Sequence, residues 1–205
     1  MDFSTYKQGF WNAGHSRVGD SGNYVTDLSV DELCKWHNLQ PPVGKIILDI
    51  GVGYGGLATE LSKNNCVYGA DISDLALSRI ESICSGTFWT QGIRNIPPVD
   101  LAIAHLVFQH NPENEVSRII NDVNLKDDGI FSFQIATLNL QKSELSQLVA
   151  NDINNGMLFF YSVDKIIEIV DCSNKSIVDV YGPHWHGPPF SFEWHIIKVK
   201  NKNIL

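Results

Sequence analysis

The stretch Leu48-Asp49-Ile50-Gly51-Val52-Gly53-Tyr54-Gly55-Gly56 decides how this chain is read. Before it lies a short apolar run rich in isoleucine, residues 45–50, which predicts a buried strand with Asp49 at its carboxyl end. After it, Leu57, Ala58 and Leu61 recur at helical spacing within residues 55–63. The glycines between them allow a sharp turn, so the segment reads as strand, turn, helix. Gly51, Gly53 and Gly56 satisfy the pattern G-x-G-x-x-G. In that pattern bare backbone approaches a ligand closely, and the helix start offers N–H groups that have no partner inside the helix. Taken alone, the pattern does not distinguish one such ligand from another.

Two carboxylates narrow the choice. Asp49 stands two residues before Gly51. A pyrophosphate seated on the turn would be repelled by it, whereas a cationic ligand would be attracted. S-adenosylmethionine carries a sulfonium and an ammonium group, and so suits Asp49. Asp71 ends the next apolar run, residues 66–70, where an acidic side chain can hydrogen-bond ribose hydroxyls.

Working outward, apolar runs alternate with helical patterns. Ser73 is placed to cap a helix over 73–84, with Ala76, Leu77, Ile80 and Cys84 on one face. Short strands are predicted at 87–90 and 99–105. Asn111 is read as a cap with Pro112 in the first helical position, followed by Val116, Ile119, Ile120 and Val123 on one stripe. Asp128-Gly129 predicts a turn into a strand at 130–135. This alternation implies a mostly parallel sheet covered by helices on both faces.

The flanks differ from the centre. Residues 1–40 read as an arm and cap helix, in which Ser29 and Glu32 form a capping box, Leu33, Trp36 and His37 share one side, and Pro41-Pro42 stops the helix. Residues 139–150 have a helical pattern. Ser162 caps a further helix with Val163, Ile166, Ile167 and Val170 buried. Strands are predicted at 176–181 and 191–200, joined by a Gly/Pro/His-rich loop at 182–190. Two strands joined without a helix imply an antiparallel pair at one edge of the sheet.

Several of these segments together resemble the class I S-adenosylmethionine-dependent methyltransferases. Residues 48–55 look like that family's first motif, and Gly69-Ala70-Asp71-Ile72-Ser73 like its second. Residues 100–134 are similar to the strand, helix and strand that follow. Within them Phe108-Gln109-His110-Asn111-Pro112 resembles the family's His-x-Pro helix start. Leu125-Lys126-Asp127-Asp128-Gly129 resembles its Leu-Lys-Pro-Gly-Gly turn, with two aspartates where proline and glycine are usual. The resemblance implies an α/β, Rossmann-like fold. Its seven-stranded sheet would be mostly parallel with an antiparallel C-terminal strand, in one domain spanning 1–205 whose cofactor-binding core is 43–136.

The resemblance also implies site residues. Gly51, Gly53 and Gly55 would face the methionine part of S-adenosylmethionine, with Asp49 close by. Asp71 would hold the ribose, with Ile72, Gly92 and Ile93 around the adenine. His105 and Leu106 would border the transferred methyl group; plain core packing is the other reading of Ile72 and Leu106.

Methyl transfer is an in-line displacement on an already activated cofactor, so alignment is the enzyme's main task and no metal is required. An oxygen or nitrogen acceptor can also need a base. His110 is one candidate, or else a residue that bonds local backbone at the helix start. His184 and His186, flanking Trp185, are the others; edge structure, or a zinc site shared with His195, are the competing readings. Trp11, Arg17, Tyr24, Tyr161 and Trp185 are candidate substrate contacts, with ordinary surface or packing roles as the alternatives.

Composition bounds the partners. The formal net charge is −8 with no Lys/Arg cluster, which disfavours nucleic acid. No apolar stretch is long enough to span a membrane, and Cys34, Cys66, Cys84 and Cys172 form no CxxC pair. Reduced buried thiols and a cytoplasmic location follow as expectations. The expected activity is methylation of a small molecule; a protein or RNA methyltransferase, or a non-catalytic module binding the same cofactor, are the alternatives.

Overall fold

A computed structural model describes residues 29–137, 158–186 and 192–202, giving backbone only for Trp185, His186 and Phe192. The predicted helix at 139–150 lies outside the described residues. The chain divides into two compact units, Met1–Ile103 and Ala104–Leu205.

In the first unit, helix α1 (Val30–Trp36) starts on the expected capping box: Glu32 N donates to Ser29 Oγ at 3.2 Å and Ser29 N to Glu32 Oε2 at 3.0 Å. It ends earlier than Pro41-Pro42 implies. Asn38 takes a left-handed φ of 47°, and Leu39 N donates back to the Cys34 carbonyl at 2.8 Å, which satisfies the last turn. Leu33, Cys34 and His37 are buried, whereas Trp36, expected on the same side as Leu33 and His37, is exposed.

Strands β1 (Ile46–Ile50), β2 (Cys66–Asp71) and β3 (Gly86–Trp89) pair in parallel. Their register sets Asp49 beside Gly69 and Asp71 beside Trp89. Helix α2 (Gly56–Ser62) follows β1, and α3 (Asp74–Ile80) follows β2 with Ser73 Oγ accepting from Ala76 N. Helix α3 stops at Ile80 rather than Cys84; the Cys84 side chain still packs on Val52, Ala76 and Ile80. Strand β4 (Val99–Ala104) is almost wholly buried. Its Asp100 accepts from Ile46 N at 2.8 Å, satisfying the amide at the start of β1.

In the second unit, a short 3-10 turn (Phe108–His110) precedes α4 (Glu113–Asp122). Here the expected cap moves by one residue. Pro112 is the N-cap, and Asn111 instead closes the 3-10 turn, its side chain donating to the Val107 carbonyl. Val116, Ile119, Ile120 and Val123 are all buried, as their spacing predicts. Strand β5 (Leu125–Thr137) runs straight through Asp128-Gly129, so the expected turn there is part of the strand. Helix α5 (Val163–Asp171) is capped by Ser162 and buries Ile166, Ile169 and Val170; Ile169, not Ile167, completes the inner stripe.

Strands β6 (Lys175–His186) and β7 (Phe192–Asn201) are antiparallel, and β7 also pairs antiparallel with β5. Strand β6 continues to His186 across register shifts between Tyr181 and His184, so His184-Trp185-His186 is strand rather than loop. The core of this unit centres on Phe108, Phe131 and Phe133, with ring centroids 4.7 Å (Phe108–Phe133) and 5.0 Å (Phe131–Phe133) apart. Each such ring contributes about 1.5–3 kcal/mol by leaving water.

The sheet order is β3-β2-β1-β4-β5-β7-β6. Among the described residues it has the expected seven strands and the antiparallel C-terminal strand. The cysteines are free, but only Cys34 is buried; Cys66 and Cys84 are half-buried and Cys172 is exposed. No helix among the described residues is long and apolar enough to cross a membrane.

Candidate cofactor and acceptor residues

The glycine turn is built by its own backbone. Gly51 N and Val52 N donate to the Ala70 carbonyl at 2.7 and 3.2 Å, holding the turn against the end of β2. Gly51, Gly53 and Gly55 all take left-handed φ (76°, 53° and 81°). Their surroundings differ. A Cβ on Gly55 would come within 2.4 Å of Ile80 Cγ2, so that glycine is demanded by packing on α3. A Cβ on Gly53 would meet nothing nearer than the Gly51 oxygen at 3.9 Å, so the backbone there borders open space. The Arg79 guanidinium lies over the Tyr54 ring, 5.2 Å from its centre.

The two acidic residues play unlike parts. Asp71 is a brace: Oδ2 accepts from Gly53 N at 3.0 Å and Oδ1 from Ser73 N at 2.9 Å. Asp49 is 3% exposed, and its Oδ2 has no hydrogen-bond partner. Burial, and then the charge of Asp71, push the Asp49 carboxyl up to about 7. A buried carboxylate oxygen with nothing to bind fits a cationic group that is supplied from outside the fold.

Ile72 directly follows β2 and is half-buried, and Gly92 and Ile93 lie in a 3-10 turn, Thr90–Asn95, after β3. Ile93 is fully buried, so only its backbone can line a ligand site. Sequence reasoning missed Trp89. It is 42% exposed at the end of β3 and in register with Asp71, but its aromatic run offered no period to mark it.

In the second unit His105 and Leu106 directly follow β4 in sequence. Burial lowers His105 to about 4, which keeps its ring neutral near pH 7. Leu106 takes φ 59°, a left-handed conformation that costs a leucine about 1–3 kcal/mol. Leu106 and Phe160 pack on a buried base of Ala136 and Trp194.

His110 sits half-buried in the 3-10 turn. His184 is exposed on β6, opposite Trp194, and its charge bears on His195; burial is the main reason His195 titrates low, and His195 Nδ1 lies 3.2 Å from Thr137 Oγ1. The Tyr161 hydroxyl donates to the Asn111 carbonyl, and burial, with the charge of Glu113, raises it well above its ordinary value. That tyrosine locks Leu158–Tyr161 to the helix start instead of presenting a free hydroxyl. Trp11, Arg17 and Tyr24 lie outside the described residues, as do the side chains of Trp185 and His186. Among the described residues no group of three His, Cys, Asp or Glu is arranged to hold a metal.

No protein-family model matches the chain, and no curated protein matches it in sequence. Solved structures do match in shape. The magnesium protoporphyrin IX methyltransferase of Synechocystis PCC 6803, determined with bound SAH, is 20% identical with a TM-score of 0.68, over 98% of this chain and all of that one. A SAM-dependent methyltransferase of Leishmania major is 14% identical, TM-score 0.68, over 96% of this chain and 82% of that one. The geranyl diphosphate C-methyltransferase of Streptomyces coelicolor A3(2) is 11% identical, TM-score 0.60, over 84% and 75%. The chain therefore has the Rossmann-like fold of the SAM-dependent methyltransferases.

Proposed function

We propose that this chain binds S-adenosylmethionine on the turn between β1 and α2 and methylates an oxygen or nitrogen atom of a small molecule. The observation that carries the reading is the unpartnered, buried Oδ2 of Asp49 behind a turn whose Gly53 backbone borders open space. Neighbours of the same fold support it: two structures of the protoporphyrin enzyme hold SAH and SAM. Their acceptors are small molecules, including a porphyrin and geranyl diphosphate.

On this reading the cofactor supplies a methyl group already activated by its sulfonium. Gly51 and Gly53 let the backbone approach the methionine portion. Asp49, ionised when a cation is beside it, offsets that positive charge. Asp71 keeps the turn in place at the carboxyl end of β2, where an acidic side chain can meet ribose hydroxyls. Ile72, Gly92, the Ile93 backbone and the exposed Trp89 ring surround the adenine. Transfer forms a bond from the acceptor to the methyl carbon and breaks the carbon–sulfur bond, and the acceptor's proton must leave. His110 is the proposed base for that proton.

Titration calorimetry with S-adenosylmethionine is the direct test. Micromolar binding by the wild-type chain that falls at least about tenfold in Asp49→Ala is the expected result. No binding, or full affinity in the variant, refutes the reading.

A further inference from the structure

Two carboxamides within Ala104–Leu205 are buried with no use for their oxygens. Gln109 is 3% exposed and Gln134 1% exposed, and Oε1 of each has no hydrogen-bond partner. Leaving such an acceptor unsatisfied is disfavoured, and most buried polar side chains avoid it. The fold does not explain either residue, because a methionine would fill nearly the same volume without that penalty.

The two belong to one neighbourhood. Phe159 N donates to the Gln109 carbonyl at 2.6 Å, and Tyr161 N to the Ala136 carbonyl at 2.9 Å. Two residues of chain span at most about 7 Å, so Gln109 and Ala136 flank the same short stretch. Gln134 lies two strand positions before Ala136 and therefore shares its face of β5. On that face Ala136 and its cross-strand partner Trp194 form the buried base beneath half-buried Leu106 and Phe160. Two unsatisfied acceptors thus accompany a small apolar floor and an accessible aromatic ring. Leu106 is held there in its left-handed conformation.

We propose that Gln109 and Gln134 recognise the methyl acceptor, taking hydrogen bonds from its hydroxyl or amine groups while its apolar carbon lies against Leu106 and Phe160. This rests on the methyltransferase reading above and deepens it. The acceptor class is a neutral small molecule carrying O–H or N–H donors beside a ring or short apolar chain. A carboxylate is the wrong partner, since it has no proton to give two amide oxygens and its charge is repelled by them.

Catechol, its dimethyl ether veratrole, and benzoate share a benzene ring but differ in donors and charge. Their binding to the SAH-saturated protein is measured by ligand-observed NMR. Catechol is expected to bind, with veratrole and benzoate at least about tenfold weaker. The near-isosteric Gln109→Met and Gln134→Met variants are each expected to weaken catechol about tenfold, leave S-adenosylmethionine affinity unchanged by calorimetry, and raise the unfolding midpoint. Equal binding of catechol and veratrole overturns the proposal. So do methionine variants that bind catechol as the wild type does, or that unfold at a lower temperature, since their oxygens would then have had internal partners. Absence of S-adenosylmethionine binding by the wild-type protein is a separate failure, and overturns the reading beneath this one.

Discussion

Replacing Asp49 by Asn separates what the carboxylate costs the fold from what it gives a ligand. The side chain is fully enclosed, its Oδ2 is unpartnered, and its carboxyl is pushed from an ordinary 3.8 up to about 7 by burial and by Asp71. A displacement of that size corresponds to a penalty on the ionised form of at most about 4 kcal/mol. Because the folded-state value lies above the unfolded one, the folded chain holds an extra proton between about pH 4 and pH 7. Wild-type stability relative to Asp49→Asn therefore falls as pH rises through that window, and the gap is constant above about pH 7. Urea unfolding of both ligand-free proteins, followed by tryptophan fluorescence near pH 4.5, 6 and 8, reads the difference, and the other carboxylates cancel between them. The variant is expected to be the more stable at pH 8, with the two converging toward pH 4.5. Ligand affinity should move the opposite way. Wild-type binding of S-adenosylmethionine is expected to strengthen with pH, up to about tenfold per unit below about 7, as the carboxylate becomes ionised. Asp49→Asn should lose both the affinity and its pH dependence. A stability gap that ignores pH, or a wild type more stable than the variant at pH 8, would mean that Asp49 has an internal partner, and the reasoning fails.

Three further outcomes are expected. Gly55→Ala forces a Cβ to within 2.4 Å of Ile80 Cγ2 at φ 81°, and should destabilise the chain by about 2–4 kcal/mol in denaturant titrations; a loss under about 0.5 kcal/mol would contradict the packing account. Tyr161→Phe removes the hydroxyl bonded to the Asn111 carbonyl, and should cost about 1–2 kcal/mol in stability while S-adenosylmethionine affinity stays the same by calorimetry. Trp89 is exposed in register with Asp71, so most of the tryptophan fluorescence change on adding S-adenosylmethionine should vanish in Trp89→Phe; an undiminished change would remove Trp89 from the adenine surroundings.

The parts of the fold that were legible in sequence share a physical cause. Helices α1, α3 and α5 announce themselves through Ser29, Ser73 and Ser162, whose hydroxyls accept from amides that have no other partner in the first turn. The stripe Val116, Ile119, Ile120 and Val123 is visible because a helix one face deep must repeat its apolar residues. What sequence misjudged depends on partners distant in the chain. Asp128-Gly129 carries the composition of a turn yet extends β5, and His184 to His186 look like loop yet pair with β7. In both places cross-strand hydrogen bonding overrides local preference. The candidate residues divide the same way. The glycines and the two aspartates are neighbours of the turn and can be read in order. Gln109, Gln134 and Phe160 are brought together by the ties from Phe159 and Tyr161 to residues more than twenty positions away, which no local pattern carries.

The turn also shows how to tell residues kept by the fold from residues kept by a ligand. Gly55 and Gly69 are both accounted for by Ile80, since a Cβ on either would lie within 2.4 Å of that side chain. Asp71 is accounted for by the amides of Gly53 and Ser73. Once these are set aside, Gly53 stays unexplained by packing, since a Cβ there would meet only the Gly51 oxygen at 3.9 Å. The features left over are those that make the free protein less stable than it need be: the buried Asp49 oxygen, the left-handed Leu106, and the idle oxygens of Gln109 and Gln134. Every one of them lies at or beyond the carboxyl half of a strand, where ligands of open α/β sheets bind. Packing cannot be the reason for groups that packing would rather replace. A bound cation at Asp49 and a hydrogen-bond donor at the two glutamines would each turn a penalty into a contact, which is why the functional reading rests on these residues together with the open backbone at Gly53.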